Sequence, residues 1–145
     1  MIVLLDSGPL GRIANPNHGK NRDLHSWLAS LIAAHVSVLV PEICDYEVRR
    51  ELVRSKSAEG LKRLDTLRIA PGLLPLNSAM MLKAAELWAD ARNSGMPTAH
   101  DHALDCDVIL AAQALSVGGI IATENVGHLS RYADARIWRD IKAPV

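Results

Sequence analysis

Acidic side chains recur at points where the sequence also predicts the end of a strand or the start of a buried helix. Asp6 follows a short apolar run, Glu47 lies in PEICDYEVRREL, and Asp105 and Asp107 precede the apolar stretch VILAA. Carboxylates that converge from distant segments are costly unless a cation compensates them. Mg²⁺ and Mn²⁺ are held by a few carboxylates and water, and they activate water for attack on a phosphodiester. The acids therefore predict metal-assisted hydrolysis.

Each of these acids also has an ordinary structural explanation. Asp6 is suited to capping the following helix through its side chain. Glu47 is suited to pairing with a nearby arginine on a solvated helix surface. Asp105 and Asp107 both complement the dipole at a helix N-terminus. Taken singly, the acids leave both explanations open, and their shared position at strand ends and helix starts is what favours a site.

A fourth polar group follows the predicted strand at 120–122. Thr123, Glu124 and Asn125 offer a hydroxyl, a carboxylate and an amide oxygen, all of which extend a metal site. The same residue types are common in turns. Thr123 and Glu124 are therefore candidates to support the site or contact the substrate, and Asn125 is a candidate ligand.

Four further residues are candidates because they are close in sequence to the proposed ligands. Ser7 is adjacent to Asp6. Arg12, Arg49 and Arg50 are hypothesised to steer a phosphate backbone, since phosphate contacts position a nucleic acid on a protein.

The elements that must position these residues alternate between strand and helix, which predicts an α/β domain with a mostly parallel sheet. The first strand is expected to end at Asp6 and a Ser-Gly-Pro turn. The predicted strands are 2–5, 36–40, 73–76, 120–122 and an edge strand at 137–138, and the predicted helices are 21–34, 41–54, 57–67, 78–93 and 103–116.

Composition limits the alternatives. The chain has 145 residues, of which 49% are apolar and 22% charged, so residues 1–145 are expected to form one domain. Sixteen basic residues balance sixteen acidic ones, which argues against binding nucleic acid through bulk positive charge. Cys44 and Cys106 are far apart, the N-terminus lacks a signal-peptide pattern, and no apolar run is long enough to span a bilayer. A cytoplasmic protein with buried, reduced cysteines is expected.

The candidate acids also lie in segments that resemble the PIN-domain ribonucleases, and among them the VapC-like toxins of toxin–antitoxin pairs. The family's opening hydrophobic-Asp-Ser/Thr signature looks like LLDSGPL, which assigns its first metal-binding acid to Asp6. Its second acid, on a helix after the second strand, corresponds to Glu47 in YEVRREL. Its acid before an Ile-Ala-Ala type helix is similar to Asp107 in DVILAAQA.

The fourth family position is a Thr-x-Asp or Thr-x-Asn pattern after a strand. The similar stretch here is Thr123-Glu124-Asn125, in which Asn125 replaces the more typical acid. This departure leaves open whether Glu124, Asp105 or a water completes the coordination.

The resemblance spans nearly the whole chain and has specific implications. It implies a three-layer α/β/α fold around a central parallel sheet of four to five strands. It implies an endoribonuclease that depends on Mg²⁺ or Mn²⁺ and that forms a homodimer. It also implies an antitoxin partner whose tail blocks the acidic groove.

Other functions fit the residues less well. A haloacid-dehalogenase-like phosphatase needs a second Asp two residues after the first, where Gly8 stands, and a receiver-like domain needs paired acids and a late Lys. The cluster His100, Asp101, His102 and Cys106 does not have the spacing of a standard structural zinc site and is expected to be a surface loop. A catalytically silent PIN-fold binding module remains the principal alternative to the nuclease.

Overall fold

The computed structural model describes residues 1–17, 19–95 and 101–145, apart from the side chains of 101–103. Its described part contains a parallel sheet with the strand order β3-β2-β1-β4-β5. The strands are β1 (Ile2–Leu5), β2 (Ser37–Pro41), β3 (Leu73–Leu74), β4 (Ile120–Thr123) and β5 (Ala135–Ile137).

Strand β1 lies at the centre of the sheet, where Val3 pairs with Val38 on one side and with Ile120 on the other. Val3, Leu4 and Leu5 are each fully buried. Successive strand residues point to opposite faces, so burial of all three means that helices cover both faces. The predicted α/β/α arrangement with a parallel sheet is confirmed.

Helices occupy most of the sequence between the strands. Their apolar residues recur at helical spacing, as in Leu24, Trp27, Leu28 and Leu31, which are all buried. The helices are α1 (Ser7–Ala14), α2 (Arg22–Ala33), α3 (Glu42–Arg54), α4 (Ala58–Leu67), α5 (Ser78–Asn93) and α6 (Asp101–Val117).

The predicted turn after the first strand is wrong, because Ser7 to Ala14 form helix α1 instead. Asp6 is the N-cap residue of this helix. Pro9 lies in the first turn, where the missing backbone N–H of proline has no helical partner to lose. The Gly8-Pro9 pair that suggested a turn is therefore compatible with a helix.

Several predicted boundaries shift. Pro41 ends β2 and is the N-cap residue of α3, so that helix begins at Glu42 rather than at the proline. The third strand is two residues long, and a π-helical turn, Arg68–Gly72, precedes it. The edge strand ends at Ile137, and Trp138 begins a 3-10 turn. None of the helices among the described residues combines the length and the apolar composition that a membrane span needs.

Candidate functional site

The strand order reverses between β1 and β4. The chain passes from β1 to β2 and β3 on one side, and β4 and β5 lie on the other. The segments that follow two strands on either side of such a reversal run in opposite directions. They leave a crevice at the carboxyl ends of the strands, which is where open α/β sheets bind ligands. Asp6 and Thr123 lie at these two ends, and the amide of Asp6 donates to the carbonyl oxygen of Ala122 at 3.0 Å.

The Asp6 carboxylate is held at both oxygens. The Ser7 amide donates to Oδ1 at 2.7 Å, and the Thr123 hydroxyl donates to Oδ2 at 2.7 Å. Thr123 is itself buried, and its hydroxyl accepts a hydrogen bond from the amide of Asn125 at 3.2 Å. Asp6 therefore caps α1 and also presents a fixed carboxylate in the crevice, so its two explanations are compatible.

Glu47 on α3 and Asp107 on α6 bring two more carboxylates to this crevice, and both are half-buried. Burial, then repulsion from Asp6 and Glu47, raises the pKa of Asp107 to about 6. Burial, then repulsion from Asp6, also raises the pKa of Glu47, although attraction from Arg50 partly opposes this. The three side chains interact with one another, and we call them the carboxylate cluster.

Two thiols border the carboxylate cluster. The Cys44 thiol lies 3.9 Å from Asp6 Oδ1, and the Cys106 thiol is within the electrostatic influence of Glu47. Burial and the neighbouring carboxylates raise the pKa of Cys44 well above its usual value and that of Cys106 to about 11. Both thiols are therefore uncharged at neutral pH. Their sequence separation hid this convergence, which only the packing of α3 against α6 creates.

Three of the predicted ligand or supporting residues have other partners or surroundings. Asp105 is exposed and lines a cavity beside Met81 and Trp88 of α5. The reason is helical geometry, since two residues along a helix are about 200° apart around its axis. Glu124 pairs with Arg12, and the exposed Asn125 places its amide oxygen over Gly127. The structure thus directs Asp105 to the α5 side of α6, holds Glu124 in an ion pair with Arg12 beside Gly8, and turns the Asn125 side chain toward Gly127.

The predicted phosphate-steering arginines differ in their surroundings. Arg12 pairs with Glu124 and lies 3.6 Å from Asp23. Arg49 binds Asp45 and Asp65, each at 2.9 Å. Arg50 is exposed and attracts Glu47. Of the three, Arg50 is the one that the electrostatics connect to the carboxylate cluster.

Asp45 was not singled out by its sequence position, although it is the most completely buried acid described. It is 3% exposed, and Arg49 binds it through two nitrogens at 2.9 and 3.1 Å. Arg68 adds a third contact at 3.2 Å. The four-residue spacing from Asp45 to Arg49 was a readable signal, while the contact with Arg68 depends on the tertiary fold.

A cavity of about 390 Å³ adjoins Glu47 between α1 and α3. It is lined by Ser7, Gly11, Glu47, Val48, Arg50, Glu51 and Leu52. Among the described side chains, no group of three His, Cys, Asp or Glu residues forms a ready-made metal site. The proposal that one ion reaches all three acids stays a prediction. The alternative zinc cluster falls on His100, Asp101 and His102, whose side chains lie outside those that the structure describes.

Solved structures of similar fold come from toxin–antitoxin complexes. One is VapBC2 from Rickettsia felis bound to a DNA fragment from its promoter, with a TM-score of 0.76 and 16% identity over 94% of this chain and 98% of that chain. The chain has a PIN-like fold. FitAcB from Neisseria gonorrhoeae has a TM-score of 0.69 and 21% identity, over 96% of this chain and 99% of that chain. VapBC-1 from nontypeable Haemophilus influenzae has a TM-score of 0.70 and 18% identity, over 97% of this chain and 100% of that chain.

At identities this low, the structural similarity establishes the fold alone. It confirms the PIN-like fold that the sequence resemblance predicted. No protein-family model and no curated protein matches the chain. Within the PIN-like fold, the carboxylate cluster occupies the crevice at the strand reversal, as described above.

Proposed function

We propose that this chain is a metal-dependent endoribonuclease and the toxin of a toxin–antitoxin pair. The observation that carries the proposal is the mutual repulsion of Asp6, Glu47 and Asp107, which three distant segments bring to one crevice. Perturbed acids in a cleft are typical of functional sites. The PIN-like fold of the toxin–antitoxin neighbours supports the nuclease assignment over an aspartate-based phosphoryl-transfer domain.

The donor set suits a hard divalent ion. Asp6, Glu47 and Asp107 supply carboxylate oxygens, which Mg²⁺ and Mn²⁺ prefer. Because the side chains do not form a ready-made set, binding requires Glu47 and Asp107 to close toward Asp6. When bound, the ion supplies a Lewis acid that activates water and stabilises the leaving oxygen of the phosphodiester.

The remaining residues have supporting roles in this proposal. The Thr123 hydroxyl and the Ser7 amide fix the orientation of Asp6, so that this carboxylate costs little to reorganise. Arg50 attracts the RNA backbone at the edge of the cavity beside Glu47. Asp105 and Asn125, considered as ligands from the sequence, are not included.

The test is cleavage of several RNAs by the purified protein with Mg²⁺ or Mn²⁺. We expect cleavage that stops with EDTA and in Asp6→Asn. A matched pair on α6 sharpens the test, because Asp107→Asn is expected to abolish cleavage and Asp105→Asn to preserve it. Cleavage that survives EDTA or Asp6→Asn contradicts the proposal. Absence of cleavage under all conditions favours a silent binding module.

The proposed partners are an antitoxin and a second copy of this chain, in the cytoplasm. An antitoxin is expected to copurify when a small DNA-binding protein encoded beside this chain is co-expressed with it. For the homodimer, α5 exposes Met81, Leu82 and Trp88, an apolar face of the kind that marks interfaces. Sedimentation is expected to give a dimer for the wild type and a monomer for Leu82→Glu. A wild-type monomer contradicts the homodimer.

A further inference from the structure

Gln113 is a fully buried amide in an otherwise apolar stretch of α6. Its neighbours Ala111, Ala112 and Ala114 are all buried and apolar. A buried amide destabilises the fold unless it is hydrogen-bonded, so its presence in VILAAQAL requires specific partners. The contacts of Gln113 therefore indicate why the sequence has an amide there.

The first partner of Gln113 is the N-terminus of α3. The first turn of a helix leaves backbone N–H groups without helical acceptors, and side chains of Ser, Thr, Asp or Asn usually satisfy one of them. In α3 the N-cap residue is Pro41, whose ring cannot accept a hydrogen bond. The Ile43 amide instead donates to Gln113 Oε1 at 3.3 Å. An amide of α6 thus caps α3.

The second partner of Gln113 is β3, the strand at the opposite edge of the sheet from β5. Gln113 Nε2 donates to the carbonyl oxygen of Leu74 at 2.8 Å, at the end of β3. Glu42, the first residue of α3, accepts from the amide of Leu76 at 2.9 Å. One buried side chain therefore connects α6, α3 and β3. The hydrogen bond between Leu76 and Glu42 is a second connection from the end of β3 to α3.

These contacts bear on the carboxylate cluster because α3 and α6 each carry one of its acids. Ile43 and Glu47 are four residues apart and lie on one face of α3. Asp107 is six residues before Gln113, about 9 Å along α6. The two helices approach each other again where Cys106 and Asp107 of α6 interact electrostatically with Glu47 of α3. Gln113 therefore holds the two helices together one turn of α3 from Glu47 and about 9 Å along α6 from Asp107.

We propose that Gln113 is a positioning residue, which sets the separation of α3 and α6 so that Glu47 and Asp107 can bind one divalent ion with Asp6. The inference rests on the proposed function. It assigns Gln113 no contact with the ion or with RNA.

The experiment compares Gln113→Met, which keeps the length of the side chain and removes both hydrogen bonds, with Ser57→Ala. Ser57 caps α4 by accepting from the Gly60 amide at 3.2 Å, and α4 carries no residue of the cluster. Both variants are expected to lower the melting temperature. Only Gln113→Met is expected to weaken Mn²⁺ binding by calorimetry, by about 10-fold, as supporting residues of metal sites do. It is also expected to lower kcat with KM for RNA little changed.

A wild-type measurement keeps the test valid if the Gln113 variants do not fold. Mn²⁺ is expected to slow hydrogen exchange at the Ile43 amide and to leave the Gly60 amide unchanged. Equal Mn²⁺ affinity in Gln113→Met and wild type, or unchanged exchange at Ile43 on Mn²⁺ binding, overturns the inference. Failure of the wild type to bind Mn²⁺ instead contradicts the proposed function.

Discussion

Asp45 and Glu47 are two residues apart on α3 and lie in opposite electrostatic environments. Asp45 is 3% exposed and bound by Arg49 and Arg68. Glu47 is half-buried and interacts with Asp6 and Asp107, and burial and the charge of Asp6 raise its pKa. The protein thus neutralises one buried acid with arginines and leaves its neighbour among like charges. Repulsion that Arg50 only partly offsets is expected where the site serves function rather than stability.

The largest effect is expected when the charge of each acid is removed in turn and the two variants are compared. Glu47→Gln is expected to reduce RNA cleavage by more than about 100-fold, beyond the loss typical of supporting residues, with stability unchanged or raised. Asp45→Asn is expected to lower the free energy of unfolding by about 2–3 kcal/mol, because it weakens three charged hydrogen bonds. Its folded fraction keeps cleavage activity. Urea unfolding and single-turnover cleavage measure both, and an equal stability loss in Glu47→Gln contradicts the comparison.

A smaller effect is expected when Asp6 loses its orienting hydroxyl. Thr123→Val keeps the shape of the side chain and removes the hydrogen bond to Asp6 Oδ2. Mn²⁺ affinity is expected to fall by about 10-fold. The control is Thr66→Val on α4, whose hydroxyl donates to the carbonyl oxygen of Lys62 at 3.1 Å. Matching affinities in the two variants would show that the Thr123 hydroxyl has no role.

The repulsion should also appear in the pH dependence of stability. The pKa of Asp107 is about 6 in the fold against an ordinary value of 3.8. Between these values the folded state binds more protons than the unfolded state, so the free energy of unfolding falls as pH rises. Because Asp107 is partly exposed, the effect is about 1 kcal/mol. Chemical unfolding without divalent ions measures it.

The controls for the pH effect are on the same helix. Asp107→Asn is expected to reduce the fall in stability between about pH 4 and pH 7 and to leave the part due to Glu47, whose pKa is also raised, whereas exposed Asp105→Asn is expected to keep the whole fall. A wild type whose stability rises over this interval relative to Asp107→Asn would contradict the electrostatics of the carboxylate cluster. Mn²⁺ binding is expected to weaken below about pH 6, because protons compete for the same oxygens.

The smallest expected effect compares the arginines next to these acids. Arg50→Ala is expected to flatten the dependence of RNA affinity on salt by about 0.7 in logarithmic slope, the value for one contact with single-stranded nucleic acid. Arg49→Ala is expected to leave the slope unchanged and to lower stability, since Arg49 binds Asp45 and Asp65. Filter binding at several salt concentrations measures the slopes. Equal slopes in Arg50→Ala and wild type remove Arg50 from the RNA contacts.

The sequence predicted the parallel α/β fold because strand and helix periodicities are local signals. It also singled out Asp6, Glu47, Asp107 and Thr123, because positions at strand ends and on helices are recognisable without tertiary information. The structure brings these four together, and their role in binding a metal stays a prediction. The missed helix α1 has a physical reason, since Gly8 and Pro9 are typical of turns but are also tolerated in a first helical turn.

Other features depend on contacts between distant segments. Packing across the fold creates the approach of the Cys44 and Cys106 thiols to the carboxylates and the ion pair between Arg68 and Asp45. It also creates the capping of α3 by Gln113. Asp105 is a different case, because local information was enough to separate it from Asp107. Two residues along a helix lie on nearly opposite faces, so the spacing alone argues against Asp105 and Asp107 pointing to the same site. A sequence pattern shows which face a residue occupies more readily than which partner it meets.

The most direct test of the account is titration of Mn²⁺ into the protein by calorimetry. Saturable binding to the wild type is expected, with loss of binding in Asp6→Asn, Glu47→Gln and Asp107→Asn and retention in Asp45→Asn. Binding that is absent from the wild type, or that survives all three substitutions in the carboxylate cluster, would contradict the claim that these acids share one cation.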